Sequence, residues 1–256
     1  NLSSMFARAS RLALPVRVIG ARRAPRVHVI QAPRGATGRG MTVCAYKSPR
    51  DVLRFWFEGD FDDPALNRID FFRFKAKSLW YVGASVDSLC APFADTIEAV
   101  ASGALDNDME WSGSDSSHPT SSIAKIVLFD QLSRNCFRGT PKAFVFDKQA
   151  LDISKALCVD PVLTSVGAAA VHFITSPLMH SESLEDHDLA LEVNSALAKR
   201  SPEIAKGNRG AFIEHRDVIV KFGRYPHRNA AMGRETTPEE KRWLESKSVP
   251  GWARSQ

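Results

Sequence analysis

From Ser48 onward, apolar residues recur at helical spacing and are separated by short polar, Gly or Pro punctuation. Ser48-Pro49-Arg50-Asp51 reads as a helix start: a capping Ser, Pro at the first helical position and an acid in the first turn. Val52, Leu53, Phe55, Trp56 and Phe57 follow as a short, strongly apolar helix. Asp63-Pro64 opens a second segment, with Leu66, Ile69, Phe72 and Leu79 at helical spacing. Val86, Leu89, Phe93, Ile97 and Val100 define a third helix, ended by Ser102-Gly103. Residues 106–119 are polar, contain Gly113 and Pro119, and read as a loop. A fourth helix spans Ser122 to Phe137 and is broken by Gly139-Thr140-Pro141.

A fifth helix is expected over about 144–157, and a sixth over about 162–175, stopping at Pro177. A seventh runs from Glu182 to Lys199 and is followed by Ser201-Pro202. An eighth runs from Arg209 to Phe222 and halts at Gly223. The ninth opens with Thr237-Pro238-Glu239-Glu240, a capping box with Pro at the first helical position. Strand alternation is absent after residue 48. Nine helices on short turns predict an all-α array or bundle. No clean repeat at a fixed period marks a regular solenoid.

Charge divides the chain of 256 residues in two. Residues 1–50 hold ten basic residues and no acid. Removing those ten from the 34 basic residues leaves 24 against 29 acidic ones, a net −5. The folded part is therefore mildly acidic, and the overall +5 is no argument for nucleic acid. An Arg-rich, Ser-containing, acid-free start is the composition of a transit peptide for a mitochondrion or plastid. A basic arm and a solvated tail share that composition. Met5 reads as the start, with residues 1–4 an upstream remnant. A start at Met41 would give a cytoplasmic form. Residues 20–47 carry Pro25, Pro33, Gly35, Gly38 and Gly40 without hydrophobic period and read as linker. The expected organisation is a basic extension and linker over 1–47 and a single all-α domain over 48–256. Four scattered Cys exclude a disulfide scaffold and a zinc ribbon. No apolar run reaches the ~18 residues of a membrane span, which predicts a soluble protein.

Three polar clusters interrupt the helices. Asp130 and Arg134 lie four apart in the fourth helix, the spacing of an ion pair. They form either a structural bridge or an Arg held rigid by Asp130 to bind a carboxylate or phosphate, with Gln131 beside them. The second cluster is His180-Ser181-Glu182. Ser181 and Asp186 can cap the next helix, but His180 is left over, so His180 and Glu182 can form an acid/base pair or, with His187, ligate a metal. The third is His215, followed by Arg224, His227, Arg228 and Asn229 in a turn stiffened by Gly223 and Pro226. That turn can receive an anion, or its Args can satisfy helix C-terminal carbonyls and pair with Glu182, Glu185 or Asp130. Five of the seven His lie between residues 172 and 227. They lack tight metal-ligand spacing, so no metal is expected. No nucleophile elbow, P-loop or dinucleotide fingerprint occurs.

Taken in order, several stretches resemble the domain-of-unknown-function 924 family. They are Val52-Leu53-Arg54-Phe55-Trp56-Phe57, Phe129 to Asn135 with Arg138-Gly139-Thr140 and Phe146-Asp147, Leu178 to Glu182, and His215-Arg216 through Phe222 to Asn229 with Gly233-Arg234 and Thr237 to Glu240. The resemblance covers about 48–247. It implies an all-α, tetratricopeptide-like fold and no established activity. His187 stands where the family pattern has Gln, and the 106–119 loop is more polar and irregular than the family's.

Three functions then compete. In the first, a pocket binds an anionic small molecule, a carboxylate or phosphate, through Asp130, Gln131, Arg134, Arg224, His227, Arg228 and Asn229. His180, Glu182 and His215 move protons there, as in a hydrolase or lyase, with any cofactor unknown. In the second, a tetratricopeptide-like interaction module or accessory subunit binds an acidic peptide in a wide basic groove. In the third, the same residues are buried ion pairs that lock helix register, satisfied by each other and without a cavity.

Overall fold

A computed structural model describes residues 46–113 and 119–254. The expected basic extension, apart from Tyr46 and Lys47, lies outside the described residues, as do residues 114–118 of the 106–119 loop. Order begins where the sequence predicts it. The Ser48 hydroxyl accepts from the Asp51 backbone N–H at 3.2 Å, and the Asp51 carboxylate accepts from the Ser48 N–H at 3.1 Å. This reciprocal cap starts helix α1 (Pro49–Phe57), which buries Val52, Leu53, Trp56 and Phe57.

Eight further helices of seven or more residues follow: α2 (Ile69–Lys75), α3 (Ala94–Ala101), α4 (Thr120–Ile126), α5 (Asp147–Leu157), α6 (Ala168–His180), α7 (Leu184–Leu197), α8 (Pro202–Phe222) and α9 (Pro238–Glu245). The described residues contain no strand, so the fold is all-α as expected. Among them, no helix is long and apolar enough to cross a membrane.

Helix α6 is the axis of the fold. Residues Ala168 to Met179 are all buried, and α4, α5, α7 and α8 pack around it. A helix apolar on every side has no other stable place. Gly167 lets it enter: a Cβ there would meet the Leu66 Cβ at 2.4 Å. Trp80 knits the N-terminal elements to this axis, with ring contacts to Trp56, Phe57, Phe72 and Phe173.

The expected third helix from Val86 to Val100 is not one element: a short turn Asp87–Cys90 and a 3-10 turn Ala91–Phe93, which holds Pro92, precede α3. Three further boundaries differ from the sequence reading, each for a physical reason. Helix α6 passes through Pro177 and ends at His180. Proline removes one backbone donor and costs about 3 kcal/mol in a helix. Burial of Leu178 and Met179 just beyond it offsets that loss and carries the helix one more turn. The expected 162–175 helix is two elements, Asp160–Ser165 and α6, parted at Val166-Gly167. Helix α8 starts at Pro202, seven residues before Arg209. Ser201-Pro202 is thus a helix start, the position proline favours.

Two segments wind more widely than an α-helix. Ala76–Trp80 continues α2, and Val127–Leu132 continues α4, both as π-helix. Such single wide turns re-aim side chains. Trp80 and Asp130 lie in them.

Candidate functional site

The two wide turns, α6, α8 and the chain after α8 enclose a cleft of about 690 Å³. That volume suits a small molecule. Trp80 to Gly83 form part of its wall, and Gln131, Arg134, Asn135 and Arg138 another. Helix α6 contributes His172, Ser176, Met179 and His180. Helix α8 gives Ala211 and His215, and the following chain Tyr225, His227 and Arg228. Gly251 and Trp252 complete the lining.

Asp130 is fully buried behind His180. Its Oδ1 lies 2.7 Å from His180 Nδ1, and its Oδ2 accepts from Gln131 Nε2 at 2.6 Å. Arg134 Nη2 stands 3.5 Å from the same carboxylate. Burial alone would raise the Asp130 pKa. His180, Arg134 and the side-chain hydrogen bonds outweigh it and hold the carboxyl at about 2. Asp130 is therefore ionised, and it fixes the His180 ring with Nδ1 turned inward. Nε2 is left to the cleft.

Arg134 and Arg228 converge on one carboxylate. Asp147, at the first position of α5, meets Arg134 Nη1 at 3.0 Å and Arg228 Nη1 at 3.2 Å. Arg228 is 6% exposed, with its guanidinium 4.7 Å above the Tyr225 ring and 5.0 Å above the Phe144 ring. Its Nε is buried with no acceptor among the described residues. Burial pulls the Arg228 pKa down, Asp147 opposes that, and the like charge of Arg134 adds to it.

The other cleft histidines are kept neutral. His215 Nδ1 donates to the Ala211 carbonyl at 2.8 Å, which leaves the Nε2 lone pair of the neutral ring free to accept. Its ring stacks on Trp252 at 3.8 Å and lies 6.0 Å from the His180 ring. Burial, then the nearby His180 charge, pushes the His215 pKa well below the ordinary histidine value. Burial, then Arg228 and Arg134, lowers His227 to about 3. Its Nδ1 is buried without a partner among the described residues. His172, lowered to about 4 chiefly by burial, contacts the Tyr81 hydroxyl through Nε2.

The cleft thus gathers Gln131, Arg134, His180, His215, His227 and Arg228, with Asp130 directly behind. Glu182, Arg224 and Asn229 do not line it. Glu182 takes a forked pair from Arg234, at 2.8 and 3.1 Å, and accepts the Tyr225 backbone N–H at 2.8 Å. Arg224 grips Glu240 with Nε at 2.6 Å and Nη2 at 2.9 Å. Asn229 Nδ2 reaches the same Glu240 carboxylate at 3.2 Å. Glu240 closes the Thr237 capping box of α9, so these three residues hold the corner between α6, the post-α8 chain and α9.

Asp147, His172, Tyr81 and Trp252 belong to the cleft or its charge balance and were not candidates from the sequence. His172 stood out only by its place in the histidine-rich stretch, and Asp147 only within the family-like Phe146-Asp147 pair. Nothing local distinguishes Tyr81 or Trp252. Among the described residues, no three His, Cys, Asp or Glu side chains converge as a metal site.

Comparison with known proteins places the chain in a family. The family described as "Bacterial protein of unknown function (DUF924)" matches residues 52–248. A solved structure of a protein of unknown function from Agrobacterium tumefaciens is 31% identical and superposes with a TM-score of 0.55. That match covers 71% of this chain and 96% of the other. No curated protein matches. The family match spans all but the last few residues of the cleft lining, and this chain belongs to the DUF924 family.

Proposed function

We propose that the cleft binds a small anionic molecule, a carboxylate or phosphate, and moves a proton to or from it at His180. The observation that carries this reading is the pair of cleft-lining guanidiniums, Arg134 and Arg228, on one shared carboxylate beside a carboxylate-backed histidine. A purely structural ion-pair network would leave no space in front of its charges. Here a cleft of about 690 Å³ remains, lined by Arg134, His180, His227 and Arg228.

The chemistry follows from the paired histidines. Asp130 bonds His180 Nδ1 and orients the ring, as a carboxylate behind a general acid or base does. His215 presents a neutral Nε2 from α8. One ring suited to carry a proton and one held neutral, 6.0 Å apart, is the arrangement of an acid and base acting on one substrate. Arg134 and Arg228 hold the anionic group. The reaction class this supports is hydrolysis or elimination on an anionic compound.

Calorimetric titration of the full chain with benzoate and with inorganic phosphate tests the reading. Saturable binding of either, weakened about tenfold or more in Arg228→Met, is expected. No binding of either to the wild type contradicts it. Binding of acidic peptides but neither small anion would favour the interaction-module reading instead. The acid-free basic N-terminal stretch supports delivery to a mitochondrion or plastid. A reporter fused after residue 47 that stays cytoplasmic would contradict that.

A further inference from the structure

The cleft's fixed charges cancel. Arg138, which also lines the cleft, is matched by Asp87 at 2.9 Å. Arg134 and Arg228 contribute two positive charges, and Asp130 and Asp147 two negative ones, all within one contact network. An anion entering such a site meets no net attraction from these four groups. It also meets His180. With Nδ1 bonded to Asp130, a neutral His180 ring turns its Nε2 lone pair to the cleft and repels an oxyanion. A protonated ring turns an N–H there and donates to it.

We propose that the cleft takes a singly charged oxyanion, the carboxylate or phosphodiester head of a small molecule, together with one proton, which rests on His180 Nε2 and is donated to the anion. This deepens the anion-site reading above and rests on it.

The surroundings of His180 assign the proton to this ring. From the wide turn after α4, Asp130 faces it at 2.7 Å, and Arg134 stands one turn further on. His172 lies on its own helix, His187 on α7 and His215 on α8, and each of these feels the His180 charge. His227 and Arg228 face the same cleft from the chain after α8. Tyr81 and Tyr225 line it as neutral phenols. Of these histidines, His180 is the one that bonds to a buried carboxylate. His187 bonds to the Ser181 carbonyl and His215 to the Ala211 carbonyl, contacts that add no charge. His227 faces two arginines, which oppose a further cation. A proton drawn in by an anion is best compensated at His180.

The ligand class follows from the same balance. A single extra positive charge neutralises a monoanion and leaves a dianion with one uncompensated charge against the cleft's apolar wall, which is costly. The aromatic lining of Trp80, Tyr225 and Trp252 takes an apolar body attached to that head.

The test is calorimetric titration of the full chain with benzoate and with dimethyl phosphate, monoanions throughout the range used. Each titration is run in two buffers of different ionisation heat, from about pH 6 to about pH 9. The expected result is uptake of close to one proton per ligand at the alkaline end. Affinity should then fall about tenfold per pH unit there. Histidine NMR on the same samples should show His180 Nε2 protonated in the complex where it is neutral in the free protein. In Asp130→Asn the fixed charges already sum to one positive, so the anion should bind without proton uptake and with a flattened pH profile. If that variant does not fold, the wild-type proton count and the His180 signal decide alone. Binding of one probe and not the other identifies the head group and keeps the proposal. Binding without proton uptake, or with the proton on another histidine, overturns this inference and leaves the anion site standing. No binding of either probe to the wild type overturns both.

Discussion

Two polar clusters lie side by side after α8, and they are built to opposite rules. In the corner cluster, Glu182 meets Arg234, and Glu240 meets Arg224 and Asn229. Both carboxylates accept several donors, and backbone N–H groups of Tyr225 and Thr237 add to them. None of Glu182, Arg224, Asn229, Arg234 and Glu240 lines the cleft. In the cleft cluster, two arginines share one carboxylate, a buried aspartate backs a histidine, and the group faces a cleft of about 690 Å³. Arg224 and Arg228 are one helical turn apart in sequence, yet one closes the corner and the other lines the cleft. Unpartnered buried atoms do not tell the two apart, since Arg234 Nε and Asn229 Oδ1 in the corner lack partners among the described residues as Arg228 Nε and His227 Nδ1 do in the cleft; what separates them is the open space the second set of charges lines.

Acid should affect the cleft cluster most. His172 and His227 are held neutral in the folded state, at about 4 and about 3, against an unfolded value near 6.5. A depressed pKa means that the unfolded chain binds protons first. This contribution to stability is complete above about pH 6.5 and is lost as pH falls towards those folded values. His215 behaves in the same direction. Each such histidine contributes a slope of about 1 kcal/mol per pH unit, so several kcal/mol should vanish before the carboxylates titrate. Asp130 adds a further loss between about pH 4 and about pH 2. Urea unfolding across pH measures this. A flat profile between about pH 6.5 and about pH 4 would contradict the neutral, buried histidines.

Glu240→Ala should come next. It strips Arg224 and Asn229 of their acceptor and opens the α9 capping box, at a cost of about 3 kcal/mol in chemical denaturation. Glu182→Gln should cost about 2 kcal/mol and loosen the Tyr225 turn, because Arg234 loses its charged partner. A change within error for both would break the structural assignment of the corner. The smallest stability effect belongs to Arg228→Met. Asp147 keeps Arg134, and a buried cation is removed, so unfolding free energy should move by about 1 kcal/mol or less.

How much of this the sequence carried depended on whether its cause was local. The Ser48 and Thr237 caps act within three residues, and both helix starts stand where the residues predict them. Pro177 misled because its cost is local while the burial that outweighs it comes from neighbouring helices. The wide turn over Val127–Leu132 differs from an α-helix by less than one residue per turn, so apolar spacing cannot reveal it. It nevertheless accompanies the inward placement of Asp130. The polar candidates were visible as residue types, but their sorting was not. Asp130 meets His180 from fifty residues away, and Glu182 meets Arg234 across fifty-two. Trp252 joins the cleft only through tertiary packing on His215.

The most direct measurement sets the two clusters against each other: benzoate affinity in Arg224→Met and Arg228→Met, read at one pH on variants shown to be folded. Near wild-type affinity in the first and a loss of about tenfold or more in the second is the expected result. Equal losses in both, or none in either, would contradict the division between a structural corner and an open site.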